Sequence, residues 1–206
     1  MSGGRMRTRT EILEQLEKEL KALQAKTYRA ASREELSGIL DSLLLDSHSE
    51  KVALENRPLI HDLNLEEALQ KEGRKLLGLN LEDRKAALKE KDWEAVRTID
   101  VGISGADYAL ADTGTLVLFS AGSSGRWVSL APTIHIVLLP VERILPSLDE
   151  LFDELKRAGN LSSLGSAVIF ITGASRTADI ELKLVMGAHG PKELHVVTLL
   201  FPTAGA

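Results

Sequence analysis

The residues that decide the fold lie between positions 134 and 172. Ile134-His135-Ile136-Val137-Leu138-Leu139 comes first, then Pro146-Ser147-Leu148-Asp149-Glu150 opens a segment that stops at Gly159, and Ala167-Val168-Ile169-Phe170-Ile171-Thr172 follows. The outer blocks are short, apolar and rich in β-branched residues, the composition of strands. Ser147 and Glu150 stand at capping-box spacing, Pro146 precedes them, and Gly159 supplies a helix stop. Strand, helix and strand in succession predict a crossover connection, and so a sheet that is partly parallel. Residues 167–171 show no alternation of apolar and polar side chains, which predicts a strand covered on both faces.

Working outward, strand-like runs are predicted at 96–103, 108–111, 115–120 and 194–200. Asp112-Thr113-Gly114 bridges two of them across a short polar break, the signature of a hairpin, and adds an antiparallel pair. The predicted class is α/β: three layers, with a mixed, partly parallel sheet between helices. Before Trp93 the texture is helical. Ile12, Leu16, Leu20 and Leu23 form a narrow stripe, so residues 10–26 are predicted to be an arm packed on another surface or on a partner subunit. Ser32 and Glu35 announce a second helix with the stripe Leu36, Ile39, Leu40, Leu43 and Leu44. Asn64 with Glu67 and Asn80 with Asp83 mark two further starts, in a region broken by Pro58, Gly73 and Gly78. The chain thus divides into a helical region, 1–92, packing on an α/β core, 93–206.

Composition narrows the function. With 44% hydrophobic and 27% charged residues, the chain is globular rather than disordered. A net charge of −5, with Lys and Arg interspersed among acids, offers no field for nucleic acid. The 206 residues contain no cysteine, so disulfides, thiolate nucleophiles, zinc–thiolate sites and the usual iron–sulfur ligation have no ligands here. The polar start lacks the apolar core of a secretory signal, and no apolar run is long enough to span a bilayer, which predicts a cytoplasmic protein.

Two loops carry the polar residues that suit an anion. The first is Asp112-Thr113-Gly114-Thr115 with Ala121-Gly122-Ser123-Ser124-Gly125-Arg126, where glycines admit close backbone approach and Arg126 offers a planar fork. It is neither a Walker loop nor a dinucleotide fingerprint, and ordinary turns with a surface Arg would have the same composition. The second is Thr172-Gly173-Ala174-Ser175-Arg176-Thr177-Ala178-Asp179, placed after a predicted strand, where open α/β sheets bind ligands. A helix starting near Thr177 would make it an anion site or simply a capped helix. The alternation of Ile180, Leu182 and Leu184 allows a strand instead. His135, at a strand start after Ser129-Leu130-Ala131-Pro132, is a candidate acid/base group or ligand donor. His189 sits in a predicted turn and His195 in a predicted strand, and their spacing fits no metal site, so no metal is expected. Among the carboxylates Asp107, Asp112, Asp179 and Glu181, a folded pair would supply a general acid and base, although turn and cap hydrogen bonds are their ordinary use.

Ala111-Asp112-Thr113-Gly114-Thr115-Leu116-Val117-Leu118, Arg126, Ser129-Leu130-Ala131-Pro132 and His135-Ile136 together resemble the signature of the lactate-utilisation protein C family, the LUD-domain proteins. Ser175-Arg176-Thr177-Ala178-Asp179-Ile180-Glu181 and Gly187-Ala188-His189-Gly190-Pro191-Lys192-Glu193-Leu194-His195-Val196 resemble its second and third blocks. The resemblance covers about residues 99–200. It implies a fold like the sugar-phosphate isomerases and CoA transferases, and a role in oxidising L-lactate to pyruvate beside iron–sulfur partner subunits. No intrinsic cofactor is implied, and CoA or a small organic anion is the expected ligand. On this basis Asp112, His135, Asp179 and Glu181 are the candidate catalytic residues. Thr113, Gly114, Thr115, Arg126, Ser129, Ser175, Arg176, Thr177 and His189 are the candidate binding residues. The family usually carries glutamate where Asp112 stands, and residues 47–92 lack the apolar strands expected before the signature. Three functions stay open: a non-redox subunit of a lactate-oxidising system, an autonomous enzyme on an organic acid, CoA ester or sugar phosphate, and a ligand-sensing module.

Overall fold

Thr8 and Ser32 begin the first two helices in the same way, each hydroxyl accepting a backbone N–H three residues on, from Glu11 and from Glu35 at 3.2 Å. The glutamates reach back, Glu11 to the Thr8 N–H at 2.7 Å and Glu35 to the Ala31 N–H at 2.8 Å. The structure, a computed structural model, describes residues 7–77, 90–120, 127–159, 165, 167–178, 184–186 and 190–203.

In chain order the elements are α1 (Arg9–Ala22), β1 (Lys26–Ala30), α2 (Arg33–Asp46), β2 (Lys51–Leu54), α3 (Pro58–Asp62), α4 (Leu65–Lys71), β3 (Lys75–Leu76) and α5 (Glu90–Arg97). There follow β4 (Val101–Gly105), β5 (Tyr108–Leu110), β6 (Thr115–Phe119), α6 (Trp127–Leu130), β7 (Ile134–Pro140), β8 (Ile144–Leu145) and α7 (Leu148–Ala158). The last are β9 (Val168–Ile171), β10 (Arg176–Ala178), β11 (Leu184–Met186) and β12 (Glu193–Leu199).

Six strands form the main sheet in the order β1-β12-β7-β4-β2-β3, and every neighbouring pair is parallel. The central strands β4, β7 and β12 are buried on both sides, together with the polar residues they carry, Ser104, His135, His195 and Thr198. On one face Ile103, Ile136, Leu138 and Val197 pack with Leu36, Leu40 and Leu44 of α2 and with Leu59 and Ile60 of α3. On the other, Val137, Leu139, Leu194 and Val196 pack with Leu13, Leu16 and Leu20 of α1 and with Leu116 and Leu118 of β6. A smaller sheet, β8-β5-β6-β9, lies over this second face, and β10-β11 is a separate antiparallel pair. The α/β class stands, and its antiparallel part is housed in the smaller sheets rather than in the main one.

Several expectations hold at residue level. Ser147 caps α7, its hydroxyl accepting from the Asp149 N–H and contacting Glu150, and Gly159 closes the helix with a left-handed φ of 68°. Asp112-Thr113-Gly114 joins antiparallel β5 and β6, with Gly114 at φ 65°. The α1 stripe does pack on a surface, that of its own chain, with Leu13, Leu16 and Leu20 as its buried residues and Ile12 and Leu23 only partly covered.

Others are corrected. The helical reading of residues 1–92 fails at β1, β2 and β3, and with it the reading that 47–92 lack strands. β1 is an edge strand that buries only Ala30, and β3 is two residues long, so neither carries a long apolar run. Strands from both sides of residue 92 therefore share one sheet. The strand expected at 96–103 starts at Val101, because Val96 belongs to the last turn of α5 and packs with Ile99 on Ala53. β9 is not covered on both faces: it is an edge strand paired antiparallel with β6, and Val168 and Phe170 are exposed. Residues 176–178 are a strand, not a helix start. The start expected at Asn80 and Asp83 lies outside the described residues.

Candidate functional site

The two chain connections that diverge mark one place in the main sheet. β2 leads through α3 and α4 outward to β3, whereas β4 leads through β5, β6 and α6 to β7 on its other side. Between β2 and β4 the connections thus run in opposite directions and over opposite faces, and in open α/β sheets a ligand crevice forms outside the carboxyl ends at such a point.

Three charged residues converge there. Glu55 follows β2 directly, Arg57 is two residues further, and Asp107 lies just past β4. Arg57 Nε stands 2.8 Å from Glu55 Oε1, and Arg57 Nη2 donates to Asp107 Oδ2 at 2.7 Å and to the Phe119 carbonyl at 2.9 Å. Asp107 Oδ2 also accepts the Phe119 N–H at 2.6 Å, and Glu55 Oε2 accepts the Gly105 N–H at 3.0 Å. The sequence folds this way because Pro58 starts α3 and presses Leu59 against Gly105, where a Cβ would stand 3.1 Å from the Leu59 side chain. The group ties the ends of β2, β4 and β6 together. Burial works against the Arg57 charge, but Asp107 and Glu55 outweigh it and hold the guanidinium protonated. Burial pushes the Glu55 carboxyl above its ordinary range, with Arg57 and the Gly105 N–H pulling the other way.

The residues singled out from sequence are distributed differently. Asp112 and Thr113 are exposed in the hairpin turn, and Gly114 lies against the backbone of Glu19 and Leu20 in α1. Thr115 is buried, its hydroxyl 2.9 Å from that of Thr172, so the hairpin and the turn after β9 are adjacent. Ser175 donates its N–H to the Pro191 carbonyl at 2.9 Å, which adds the turn before β12 to this group. These segments gather near the amino ends of β7 and β12, where Lys192 donates to the Thr133 carbonyl at 2.8 Å. They lie at the other end of the sheet from Glu55, Arg57 and Asp107. The loop bearing Arg126 leaves β6 at the end paired with Val168, whereas the turn leading to Arg176 leaves β9 at the end paired with Leu116, so the two depart from opposite ends of one ladder. The backbones of Arg176 and Thr177 lie in β10. Arg126, Asp179, Glu181 and His189 lie outside the described residues.

His135 is fully buried in the sheet, with Nε2 2.8 Å from the Ser104 hydroxyl. Burial pushes its pKa down to about 3, so the ring is neutral. Ser129 is buried in α6. His195 stacks on Tyr28, whose hydroxyl is 3.2 Å from Nδ1, while Nε2 meets Glu193, itself paired with Lys26 at 2.7 Å. It is a satisfied structural histidine, as its strand position predicts. Among the described residues no three His, Asp or Glu side chains are grouped to hold a metal, and no helix is long and apolar enough to cross a membrane.

Sequence reasoning considered Asp107 and missed Glu55 and Arg57. The available signal was Glu55-Asn56-Arg57-Pro58, charge immediately after the apolar Val52-Ala53-Leu54, which reads as a strand end only once β2 is recognised as a strand.

Fold and site together define an α/β protein with a parallel main sheet and a cluster of charged side chains at its switch point. The sequence matches the LUD domain family over residues 13–199, and the chain belongs to that family. It is similar to "Lactate utilization protein C" of Halalkalibacterium halodurans, 36% identical over 157 residues, covering 76% of this chain and 65% of that one. The protein of the same name from Bacillus subtilis is 39% identical over 103 residues, 50% of this chain and 43% of that one. The chain thus spans between about two fifths and two thirds of the length of these relatives. A crystal structure of a DUF162 family protein from Deinococcus radiodurans superposes with a TM-score of 0.66 at 21% identity, over 94% of this chain and 99% of that one, and confirms the fold.

Proposed function

We propose that this chain serves L-lactate utilisation as a cytoplasmic subunit without a redox centre of its own, holding a small organic anion beside iron–sulfur partner subunits. The observation that carries the reading is the 36% identity over 157 residues to a protein named for lactate utilisation. The lack of cysteine in these 206 residues agrees with electron transfer in partner chains. The crevice at the carboxyl ends of β2 and β4 is the proposed seat of the anion, because polar groups converge at the place where this sheet type binds ligands.

Deleting the gene should abolish growth on L-lactate and leave growth on pyruvate intact, and the tagged chain should copurify with cysteine-rich cluster proteins. Unchanged growth on L-lactate would sink the reading. Arg126, whose loop leaves β6 at the Phe119 end of the ladder, is the proposed cationic anchor for this seat, whereas the segment leading to Arg176 lies at the other end of the sheet. In calorimetry with lactate, pyruvate, phosphate and CoA, Arg126→Ala should weaken binding by about 1.5–3 kcal/mol, the scale of a hydrogen bond to a charged group, and Arg176→Ala should leave it unchanged. Their departure from opposite ends of the β6–β9 ladder makes it informative to test each alone.

A second reading, an autonomous enzyme on an organic acid or CoA ester, is favoured by one feature: a buried carboxyl, Glu55, at the strand ends, the environment that tunes acids for proton transfer. Turnover of such a compound by the isolated chain distinguishes it from the subunit. Tight binding without turnover or partners would identify a sensing module.

A further inference from the structure

Among the described residues the group at the switch point is not charge-balanced. Two carboxyls share one guanidinium, so with both ionised the cluster carries one excess negative charge, and Glu55 and the Arg57–Asp107 pair are largely buried. Buried like charges around a single cation resolve by one carboxyl keeping its proton.

The hydrogen bonds say which. Asp107 Oδ2 collects two short donors, the Arg57 Nη2–H and the Phe119 N–H, and acts as acceptor in both. Glu55 receives one backbone N–H at 3.0 Å. Its 2.8 Å contact with Arg57 Nε does not have hydrogen-bond geometry, and that buried N–H has no acceptor. The elements packed around Glu55 bring no further cation among the described residues: Leu59 of α3 and Gly105 of β4 are uncharged, β6 contributes only the Phe119 backbone, and the charges acting on Glu55 are those of Arg57 and Asp107.

From this geometry we propose that Glu55 is a ligand-contacting carboxylic acid, which donates a hydrogen bond to an oxygen of a small hydroxy or keto acid bound at the carboxyl ends of β2 and β4. The inference rests on the anion reading above and makes it proton-coupled. A carboxylate ligand and an ionised Glu55 repel one another, so the ligand binds the form in which Glu55 keeps its proton. Asp107 and Arg57 position it. The same arrangement favours a ligand with a hydrogen-bond acceptor beside its carboxylate over a bare inorganic anion.

Calorimetric titration with pyruvate and with lactate between pH 5 and 8 tests the coupling. Wild-type affinity should fall about tenfold per pH unit once Glu55 ionises, with one proton taken up per ligand when the experiment is repeated in buffers of different ionisation enthalpy. Glu55→Gln, neutral and of the same shape, should bind with little pH dependence. A flat wild-type profile, or a slope that survives in Glu55→Gln, overturns the proposal. Carbon NMR of the unliganded protein labelled at glutamate side chains separates this outcome from failure of the anion reading. A Glu55 signal titrating with the exposed glutamates overturns the proton site itself. A Glu55 signal that keeps its proton after the exposed glutamates have lost theirs, with neither acid bound at any pH, overturns the ligand reading and the coupling with it.

Discussion

Gly102 shows how one position can fix an interface. A Cβ there would overlap the Val128 carbonyl of α6 and stand 2.7 Å from Pro132 Cγ, so β4 and α6 meet only because the side chain is absent. Gly102→Ala should cost about 3 kcal/mol or more, at the top of the range for overpacking, and lower the melting temperature accordingly. Gly38, in α2, has open space where a methyl group would point, so Gly38→Ala should stabilise by about 0.5–1 kcal/mol in the same assay. His135 gives a pH signature. Its folded pKa, about 3, lies below the value near 6.5 of an unfolded chain, so its contribution is complete above pH 6.5 and is lost as pH falls toward 3. Denaturant titrations at pH 7, 5.5 and 4.5 should show stability falling by up to about 1.4 kcal/mol per pH unit from this group. His135→Gln should flatten that part of the slope. Residues whose signal is local were legible: Ser147, Gly159 and Gly114 take the caps and turn that their spacing predicts. Glu55 and Arg57 were not, because their meaning comes from Asp107 and Gly105, some fifty positions away.

At the scale of elements, α1 is held by its apolar side. Leu16→Ala should cost about 2–5 kcal/mol, since Leu16 is fully buried between α1 and the sheet, whereas Leu45→Ala, at an exposed position of α2, should change stability by less than about 0.5 kcal/mol. Ser147→Ala should cost about 1 kcal/mol by removing the α7 cap. Thermal unfolding of the three variants checks the order. The helices were readable because a stripe and a cap lie within one element. Two kinds of strand were misread. β1 and β3 sit at sheet edges and need no apolar run, and β9 has apolar residues on its exposed face, which hides the alternation that would mark an edge strand.

At the scale of the molecule, the main sheet joins strands far apart in the chain. β1 pairs with β12 from Lys26–His195 to Ala30–Leu199, so strands more than 160 residues apart lie side by side at the edge of the sheet. A chain lacking residues 1–31 should lose cooperative unfolding, since it exposes the β12 edge and the apolar surface under α1. Circular dichroism against temperature would read this as a broad or absent transition, and a sharp transition would show that the rest is self-sufficient. Sequence alone determined the α/β class, the hairpin, the capped helix α7, the structural role of His195 and the family, because these depend on residues near one another in the chain or on motifs carried whole. Only the tertiary structure decided which strands neighbour which, that the signature loops around Thr115 and Ser175 and the switch-point charge cluster occupy opposite ends of the sheet, and that Glu55, Arg57 and Asp107 come together. The physical reason is that parallel strands are joined by long crossovers, so the pairing of β2 with β4 and the charge imbalance beside it come from contacts spanning about fifty residues, for which no local pattern exists.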